Sequence, residues 1–254
     1  MFYDNSKCMI CGKCASVCPT NSQVFDNGIH TFNRSTCAAC GACANMCMAK
    51  AIDKAGTTFT VDEVLKEVLK DKMFYDNSGG GITISGGEPM QQFDFSHELL
   101  KTSKNAGLHT CMETCGFAKS ENYQKIAQHT DIFLFDYKET DPSKHKEFTG
   151  VTNELILKNL YMLDSLGSKI VLRCPIIPGY NDRTEHLKAI GALAEELEHV
   201  LKVDVEPYHP LGKSKSEGLG KAYPLADLTF PEEDTVSGWI DCIASVTSKP
   251  VGKA

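Results

Sequence analysis

The sequence predicts an α/β protein in which a parallel sheet follows a small cysteine-rich segment. Eight of the twelve cysteines lie within the first 47 residues. Beyond about residue 56, short β-branched runs alternate with segments whose apolar residues recur at helical spacing. Strands that alternate with helices are typical of a parallel sheet. We therefore predict two domains, residues 1–56 and residues 57–254.

Bulk composition excludes several classes of protein. The net charge of −7 argues against a broad nucleic-acid-binding surface. No apolar stretch approaches the roughly 18 residues that a membrane span needs. The N-terminal "MFYDNSKC" has neither the basic region nor the apolar core of a secretory signal. We expect a cytoplasmic protein that binds neither nucleic acid nor membrane.

Two cysteine runs in the cysteine-rich segment have a spacing that is specific for metal-cluster ligands. "CMICGKCASVCP" begins at Cys8 and "CAACGACANMC" begins at Cys37, and both space four cysteines by two, two and three residues. This spacing is typical of ligands to a [4Fe–4S] cluster. Gly12 and Gly41 let the backbone wrap closely around a cluster. The alternative is zinc, which also uses Cys-x2-Cys pairs but takes four ligands rather than two interlocked sets.

The paired runs resemble a bacterial two-cluster ferredoxin, in which the fourth cysteine of each run binds the other cluster. The resemblance implies an α+β, ferredoxin-like domain that holds two [4Fe–4S] clusters. One ligand set would be Cys8, Cys11, Cys14 and Cys47. The other would be Cys37, Cys40, Cys43 and Cys18.

The second domain begins with a capping box, "TVDE", at Thr60. Five strands are predicted, at Ile82–Ser85, His109–Glu113, Ile132–Asp136, Ile170–Cys174 and Val203–Pro207. Four helices are predicted between them, at Phe93–Lys104, Asn122–His129, Glu154–Leu166 and Glu185–Val200. Five strands are too few for an eight-stranded barrel, so the pattern predicts an open partial barrel or a doubly wound sheet. In either fold, ligands bind at the carboxyl ends of the strands.

Each predicted strand ends in polar residues: "SGGEP", "ETCGF", "DYKET", "RCPIIPGYND" and "PYHPLGKSK". An acid, a lysine, an arginine and a histidine around one mouth would suit a zwitterionic amino-acid ligand. Each has a structural alternative. Gly86 and Gly87 could form only a turn, His209 could be structural, and Asp136 with Lys138 could be a plain ion pair.

These strand-end motifs resemble those of the glycyl-radical-enzyme activating enzymes, which are radical S-adenosylmethionine (SAM) proteins. The resemblance covers essentially the whole chain and implies a partial radical SAM barrel. It implies reductive cleavage of SAM to a 5′-deoxyadenosyl radical that takes hydrogen from a glycine of a partner enzyme. The partner would be a glycyl radical enzyme, and an external flavodoxin or ferredoxin would supply electrons.

By motif match, Gly87 and Glu88 would meet the methionyl amine of SAM, and Lys138 would lie toward its carboxylate. The full set of SAM-binding residues implied is Gly86, Gly87, Glu88, Asp136, Tyr137, Lys138, Glu139, Arg173 and His209. Glu113 and Thr114, with Asp136, fall where relatives bind a monovalent cation, although a Glu stands here in place of a shorter Asp.

The family's Cys-x3-Cys-x2-Cys motif, which holds the catalytic third cluster, is absent. Cys111 and Cys115 have the first gap, but Ala118 stands in the third position. No catalytic residue is therefore assigned, and the first strand of the family's barrel is expected to be missing. Two other interpretations stay open: an inactive iron–sulfur electron-transfer or binding protein, and a different radical SAM enzyme.

One hexapeptide occurs twice. "MFYDNS" spans residues 1–6 and again residues 73–78.

Overall fold

A computed structural model describes all residues from 1 to 254. The strands are β1 (Phe2–Tyr3), β2 (Gln23–Asp26), β3 (Ile29–Phe32), β4 (Ile52–Asp53), β5 (Gly81–Ile84), β6 (His109–Thr114), β7 (Ile132–Asp136), β8 (Lys169–Ile176), β9 (Val200–Pro207) and β10 (Val251–Lys253). The α-helices are α1 (Lys13–Ser16), α2 (Ala42–Met46), α3 (Val61–Val68), α4 (Lys72–Ser78), α5 (Phe93–Asn105), α6 (Ser120–Ala127), α7 (Pro142–Thr149), α8 (Glu154–Ser165), α9 (Thr184–Glu196), α10 (Gly212–Gly218) and α11 (Glu233–Ala244).

The chain divides into two units. The first comprises residues 1–58 and 209–229, and the second comprises residues 59–208 and 230–254. We predicted residues 209–229 to lie in the second domain. They group with the first because Arg34 donates to the Gly218 carbonyl at 2.6 Å. Gly218 also lies so close to Phe2 that a β-carbon there would stand 2.2 Å from the ring.

The first unit is built from two antiparallel strand pairs, β1 with β4 and β2 with β3. Helices α1 and α2 each begin after a glycine in the left-handed conformation, Gly12 at φ 74° and Gly41 at φ 83°. Glycine adopts this conformation without a steric penalty, so the chain can turn from a cysteine loop directly into a helix. The small core joins Cys14 and Cys43 to Ile52.

The second unit contains one parallel sheet of six strands in the order β10-β9-β8-β7-β6-β5. The five predicted strands are present. The sixth, β10, was missed because three residues around a glycine carry no strand pattern. Strand β5 pairs with β6 alone and forms one edge of the sheet.

The two faces of this sheet differ in character. Along β6 and β7, side chains alternate between buried and partly exposed, as the pleat of a strand requires. The buried face packs against apolar side chains of α6 and α8 in the main core, which includes Phe133, Phe135, Ile126 and Leu160. The opposite face carries the polar side chains of the strands.

Most predicted helices lie where the periodicity placed them. Thr60 and Glu63 form the predicted capping box, with the Glu63 N–H 3.2 Å from Thr60 Oγ1 and the Thr60 N–H 2.8 Å from Glu63 Oε2. The prediction that a helix runs to Val200 was wrong. Helix α9 ends at Glu196, Leu197 is already extended, and Val200 begins β9. Helices α4, α7, α10 and α11 were not predicted.

None of the helices is long and apolar enough to traverse a lipid bilayer.

Packing of α9 against α11 depends on a glycine. A β-carbon on Gly191 would stand 2.4 Å from the Ile243 carbonyl oxygen, whereas one on Gly238 would meet nothing within 4 Å. We expect Gly191→Ala to lower the free energy of unfolding by about 1–3 kcal/mol through overpacking. Gly238→Ala should raise it by up to about 1 kcal/mol, since alanine favours a helix. Urea unfolding of both variants measures this, and equal effects would contradict the packing.

Candidate functional site

Charged side chains form a continuous chain of contacts across the polar face at the carboxyl ends of the strands. Ser85 donates to Glu113 Oε2 at 2.9 Å, and Glu113 Oε1 lies 2.8 Å from Arg173 Nη1. Arg173 also forms an ion pair with Glu206. The guanidinium therefore joins carboxylates from β6 and β9. Ser85 and Glu206 were not predicted as site residues, although Ser85 is the first residue of "SGGEP" and Glu206 directly precedes "PYHPLGKSK".

Asp136 and Lys138 lie on this same face, as their spacing of two predicts. Lys138 Nζ is 3.4 Å from Asp136 Oδ2. The other oxygen, Oδ1, is buried and has no hydrogen-bond partner. Burial raises the pKa of the Asp136 carboxyl, although Lys138 and Arg173 act in the opposite direction. A buried acceptor without a donor is costly, so this oxygen is suited to accept a hydrogen bond from a ligand.

The loop after β5 leaves room for such a ligand. Gly86 has φ 131°, a conformation that residues with a β-carbon rarely adopt. A β-carbon on Gly86 or Gly87 would meet nothing within 4 Å. Both glycines therefore present bare backbone to open space.

Glu88 is fully engaged with the protein. Its Oε1 accepts hydrogen bonds from Thr114 Oγ1 at 2.8 Å and from the Met90 N–H at 3.0 Å. Its Oε2 accepts from the Cys115 N–H at 2.8 Å. Burial and then the Glu88 carboxylate raise the pKa of the Cys115 thiol to about 11. Glu88 thus ties the loop after β5 to the end of β6.

Tyr137 and Glu139 point away from the polar face. Tyr137 lies in the main core. Glu139 is fully buried and forms an ion pair with Arg183 at 2.8 Å. Both follow from strand alternation, because residues one position away from Asp136 and Lys138 face the helices. The structure therefore does not bring these two predicted side chains to the mouth of the sheet.

The three predicted cation ligands do not converge. Both Glu113 oxygens are already bonded, to Arg173 and Ser85. Thr114 faces the opposite side of β6, where its hydroxyl lies 2.6 Å from the Tyr123 hydroxyl. Alternation along the strand separates these neighbours. Of the three residues, only Asp136 has a buried oxygen without a hydrogen-bond partner.

Eight of the nine predicted SAM-binding residues belong to the second unit, and His209 belongs to the first.

In the first unit, a cavity is lined by all four cysteines of the first predicted ligand set. Cys8, Cys11, Cys14 and Cys47 surround it, together with Phe25, His30 and Ile52. These cysteines come from both sequence runs, so the fourth cysteine of the second run joins the first three of the first. The donor set and the largely apolar surroundings fit an iron–sulfur cluster.

The second set receives backbone hydrogen bonds at sulfur. The Ser22 N–H lies 3.2 Å from Cys18 Sγ, and the Ala39 N–H lies 3.3 Å from Cys37 Sγ. Partial burial acts to raise the pKa of Cys18, but hydrogen bonds from Thr20 and Ser22 bring it down to about 7. Donors aimed at sulfur favour the thiolate form that binds iron.

The other four cysteines form no third set. Cys111 and Cys115 are partly exposed on β6 and just after it, Cys174 is fully buried on β8, and Cys242 is half-buried on α11. Burial raises the pKa of Cys174 well above its usual value. These positions do not supply three adjacent thiols for a further cluster.

Comparison with known sequences identifies two matching families. The radical SAM superfamily matches residues 38–190, and the 4Fe-4S dicluster domain matches residues 1–48. The chain is 40% identical over 237 residues to the trans-4-hydroxy-L-proline dehydratase activating enzyme of Clostridioides difficile, covering 92% of this chain and 78% of that protein. It is 38% identical over 238 residues to the isethionate sulfite-lyase activating enzyme of Oleidesulfovibrio alaskensis, covering 91% of this chain and 76% of that protein.

A solved structure has the same fold. A domain of pyruvate-formate lyase-activating enzyme from Bacteroides vulgatus superposes with a TM-score of 0.57 at 26% identity. The match covers 68% of this chain and 99% of that one.

The bonds of Glu88 lead to a test of its role. We expect Glu88→Gln to lower the free energy of unfolding by about 1–3 kcal/mol, because one amide N–H₂ must then face an N–H or O–H donor. Urea unfolding without ligand measures this. Glu147→Gln, on the exposed surface of α7, serves as the control. Unchanged stability of Glu88→Gln would show that Glu88 does not hold the loop.

Proposed function

The chain belongs to the radical SAM superfamily and, within it, to the activating enzymes of glycyl radical enzymes, and on that premise we propose that the mouth of its parallel sheet binds the methionyl end of SAM. Members of this family are oxidoreductase-type enzymes that use SAM and iron–sulfur clusters to generate a radical. The kind of partner is therefore a glycyl radical enzyme.

The observation that carries the proposal is the unpartnered Asp136 oxygen. An ammonium group donates up to three hydrogen bonds and would satisfy this buried acceptor. Gly86 and Gly87 leave open space beside bare backbone. Lys138 Nζ, 3.4 Å from Asp136, offers a cation for the carboxylate of the same ligand. Glu88 supports the loop and, since both its oxygens are bonded, we assign the amine to Asp136 instead.

The charge at the mouth complements SAM. Two cations, Lys138 and Arg173, face three carboxylates, Glu113, Asp136 and Glu206. These five groups carry one excess negative charge when all are ionised. SAM carries an ammonium, a sulfonium and a carboxylate, and thus one excess positive charge. Electrostatic complementarity of this kind selects a ligand and orients it.

When bound and reduced, the clusters supply the electron for cleavage of SAM and thus for the radical. The chain's own contribution is to position the ligand and to hold the iron. We propose that the two cysteine sets of the first unit bind two clusters that pass electrons inward from an external flavodoxin or ferredoxin. Because cluster ligation needs free thiols, a reducing cytoplasm is the proposed location.

A third cluster has no ligand set among these 254 residues. The sequence contains no Cys-x3-Cys-x2-Cys, and Cys111, Cys115, Cys174 and Cys242 do not replace it. The residues present fit two clusters and the methionyl part of SAM, and they do not fit the site at which the sulfonium is reduced.

We therefore expect the 254-residue chain, loaded with clusters and reduced with dithionite, to form no 5′-deoxyadenosine from SAM. Chromatography of the reaction mixture measures the product. The C. difficile activating enzyme, treated in the same way, is the positive control. Product formation by this chain would overturn the expectation and would require cluster ligands other than the missing motif.

Asp136→Asn should have opposite effects on stability and on binding. Since burial raises the folded pKa of Asp136, its contribution to stability is present at low pH and is lost as pH rises through that folded value. At neutral pH the buried, ionised carboxylate lowers the free energy of unfolding. Asp136→Asn removes that charge, so the variant should unfold at a higher urea concentration.

The same variant should bind SAM about 10- to 100-fold more weakly, because it loses a charged hydrogen bond to the amine. Equilibrium dialysis with labelled SAM measures the affinity. Asp94→Asn, exposed on α5, is the control for binding and should leave the affinity unchanged. Unaltered affinity in Asp136→Asn would refute the assignment of the amine.

A further inference from the structure

Two buried polar side chains of the first unit lie between its two cysteine sets. Gln23 on β2 is 4% exposed and His30 on β3 is 6% exposed. The His30 ring stacks on Phe25 with centroids 4.3 Å apart and meets the edge of Tyr3 at 4.7 Å. Aromatic rings on two sides therefore fix its orientation. Neither Gln23 nor His30 is needed as a cluster ligand.

The pair contacts sulfur atoms of both sets. His30 Nδ1 lies 3.3 Å from Cys8 Sγ, and His30 Nε2 lies 3.8 Å from Cys14 Sγ. Gln23 Nε2 donates to Cys43 Sγ at 3.6 Å. The two side chains are joined by a bond of 2.7 Å between His30 Nε2 and Gln23 Oε1. Side-chain hydrogen bonds thus run from the first set to the second.

The donor and acceptor roles follow from Gln23. Its amide nitrogen faces the sulfur of Cys43, where a thiolate bound to iron can only accept. Its oxygen therefore faces His30 Nε2, which must carry the hydrogen of that bond. His30 thereby holds the Gln23 amide in the orientation that points N–H at sulfur.

We propose that Gln23 raises the reduction potential of the cluster held by Cys18, Cys37, Cys40 and Cys43, and that His30 is its positioning residue. A hydrogen bond to a ligating sulfur stabilises the more negative, reduced state more than the oxidised one. In the step concerned, one electron enters from an external low-potential reductant and the cluster charge falls by one. No proton moves along the pair.

This inference rests on the two-cluster assignment and concerns how the sites share electrons. The Gln23 amide donates only to the second set, whereas the first set faces the His30 imidazole, so the surroundings of the two clusters differ. Unequal potentials give an electron a preferred cluster on which to rest. Gln23 belongs to the hairpin β2–β3, so this small element would set the difference.

The test is a redox titration of the chain loaded with both clusters, followed by electron paramagnetic resonance. Gln23→Met keeps the length of the side chain and removes the donor. We expect one of the two midpoint potentials to fall, so that the reduced-to-oxidised ratio of that cluster at a fixed solution potential drops about 2- to 10-fold. Val24→Met, exposed on the same strand, is the matched control and should shift neither midpoint.

If Gln23 has a purely structural role, Gln23→Met will change stability and leave both midpoint potentials unchanged. That result, obtained with full iron and sulfide content, would overturn the proposal.

If Gln23→Met fails to retain both clusters, Gln23→Asn serves as the second variant. Its amide is too short to reach sulfur, so it must show the same fall in midpoint potential. His30→Asn, which releases Gln23, should lower the same midpoint, and any shift of the other midpoint in this variant reflects the lost contact between His30 and Cys8. A fall in both midpoints for Gln23→Met would also contradict the assignment to one cluster.

Discussion

The arrangement of side chains at the carboxyl ends of the strands depends on the two ion pairs of the Arg173 guanidinium. Glu113 and Glu206 would otherwise repel each other across the polar face, and Arg173 bonds to both. An arginine suits this position because its planar fork can serve two carboxylates at once. Arg173 thus engages both carboxylates, and Asp136 Oδ1 stays buried without a hydrogen-bond partner. The selectivity that we propose for a cationic ligand follows from this distribution of bonds.

Strand alternation explains which site residues the sequence could predict. Asp136 and Lys138 share a face because they are two residues apart, and that period follows from the pleat alone. Tyr137 and Glu139 were included because they adjoin Asp136 and Lys138 in the strand-end run "DYKET". The same period places them on the helix side, where Tyr137 joins the core and Glu139 meets Arg183. The resemblance suggested the run, and strand alternation assigns its side chains to two different faces.

Long-range contacts account for what the sequence could not predict. Strand β10 forms because Val251–Lys253 pairs with β9. No local sequence pattern predicts this strand. The repeated hexapeptide "MFYDNS" adopts two different structures within this chain. In residues 1–6 it contributes strand β1 and part of a 3-10 turn, and in residues 73–78 it lies in helix α4. The two copies have the same local propensity, so the tertiary contacts of each copy determine its secondary structure.

The alternation of side chains along β7 limits which insertions and deletions the chain can tolerate during evolution. Inserting or deleting one residue within Ile132–Asp136 would turn every later side chain of the strand to the other face. The acid of the site would then enter the apolar core, and the core tyrosine would enter the site. A change of length within this strand is therefore costly, whereas a substitution leaves each side chain on its own face.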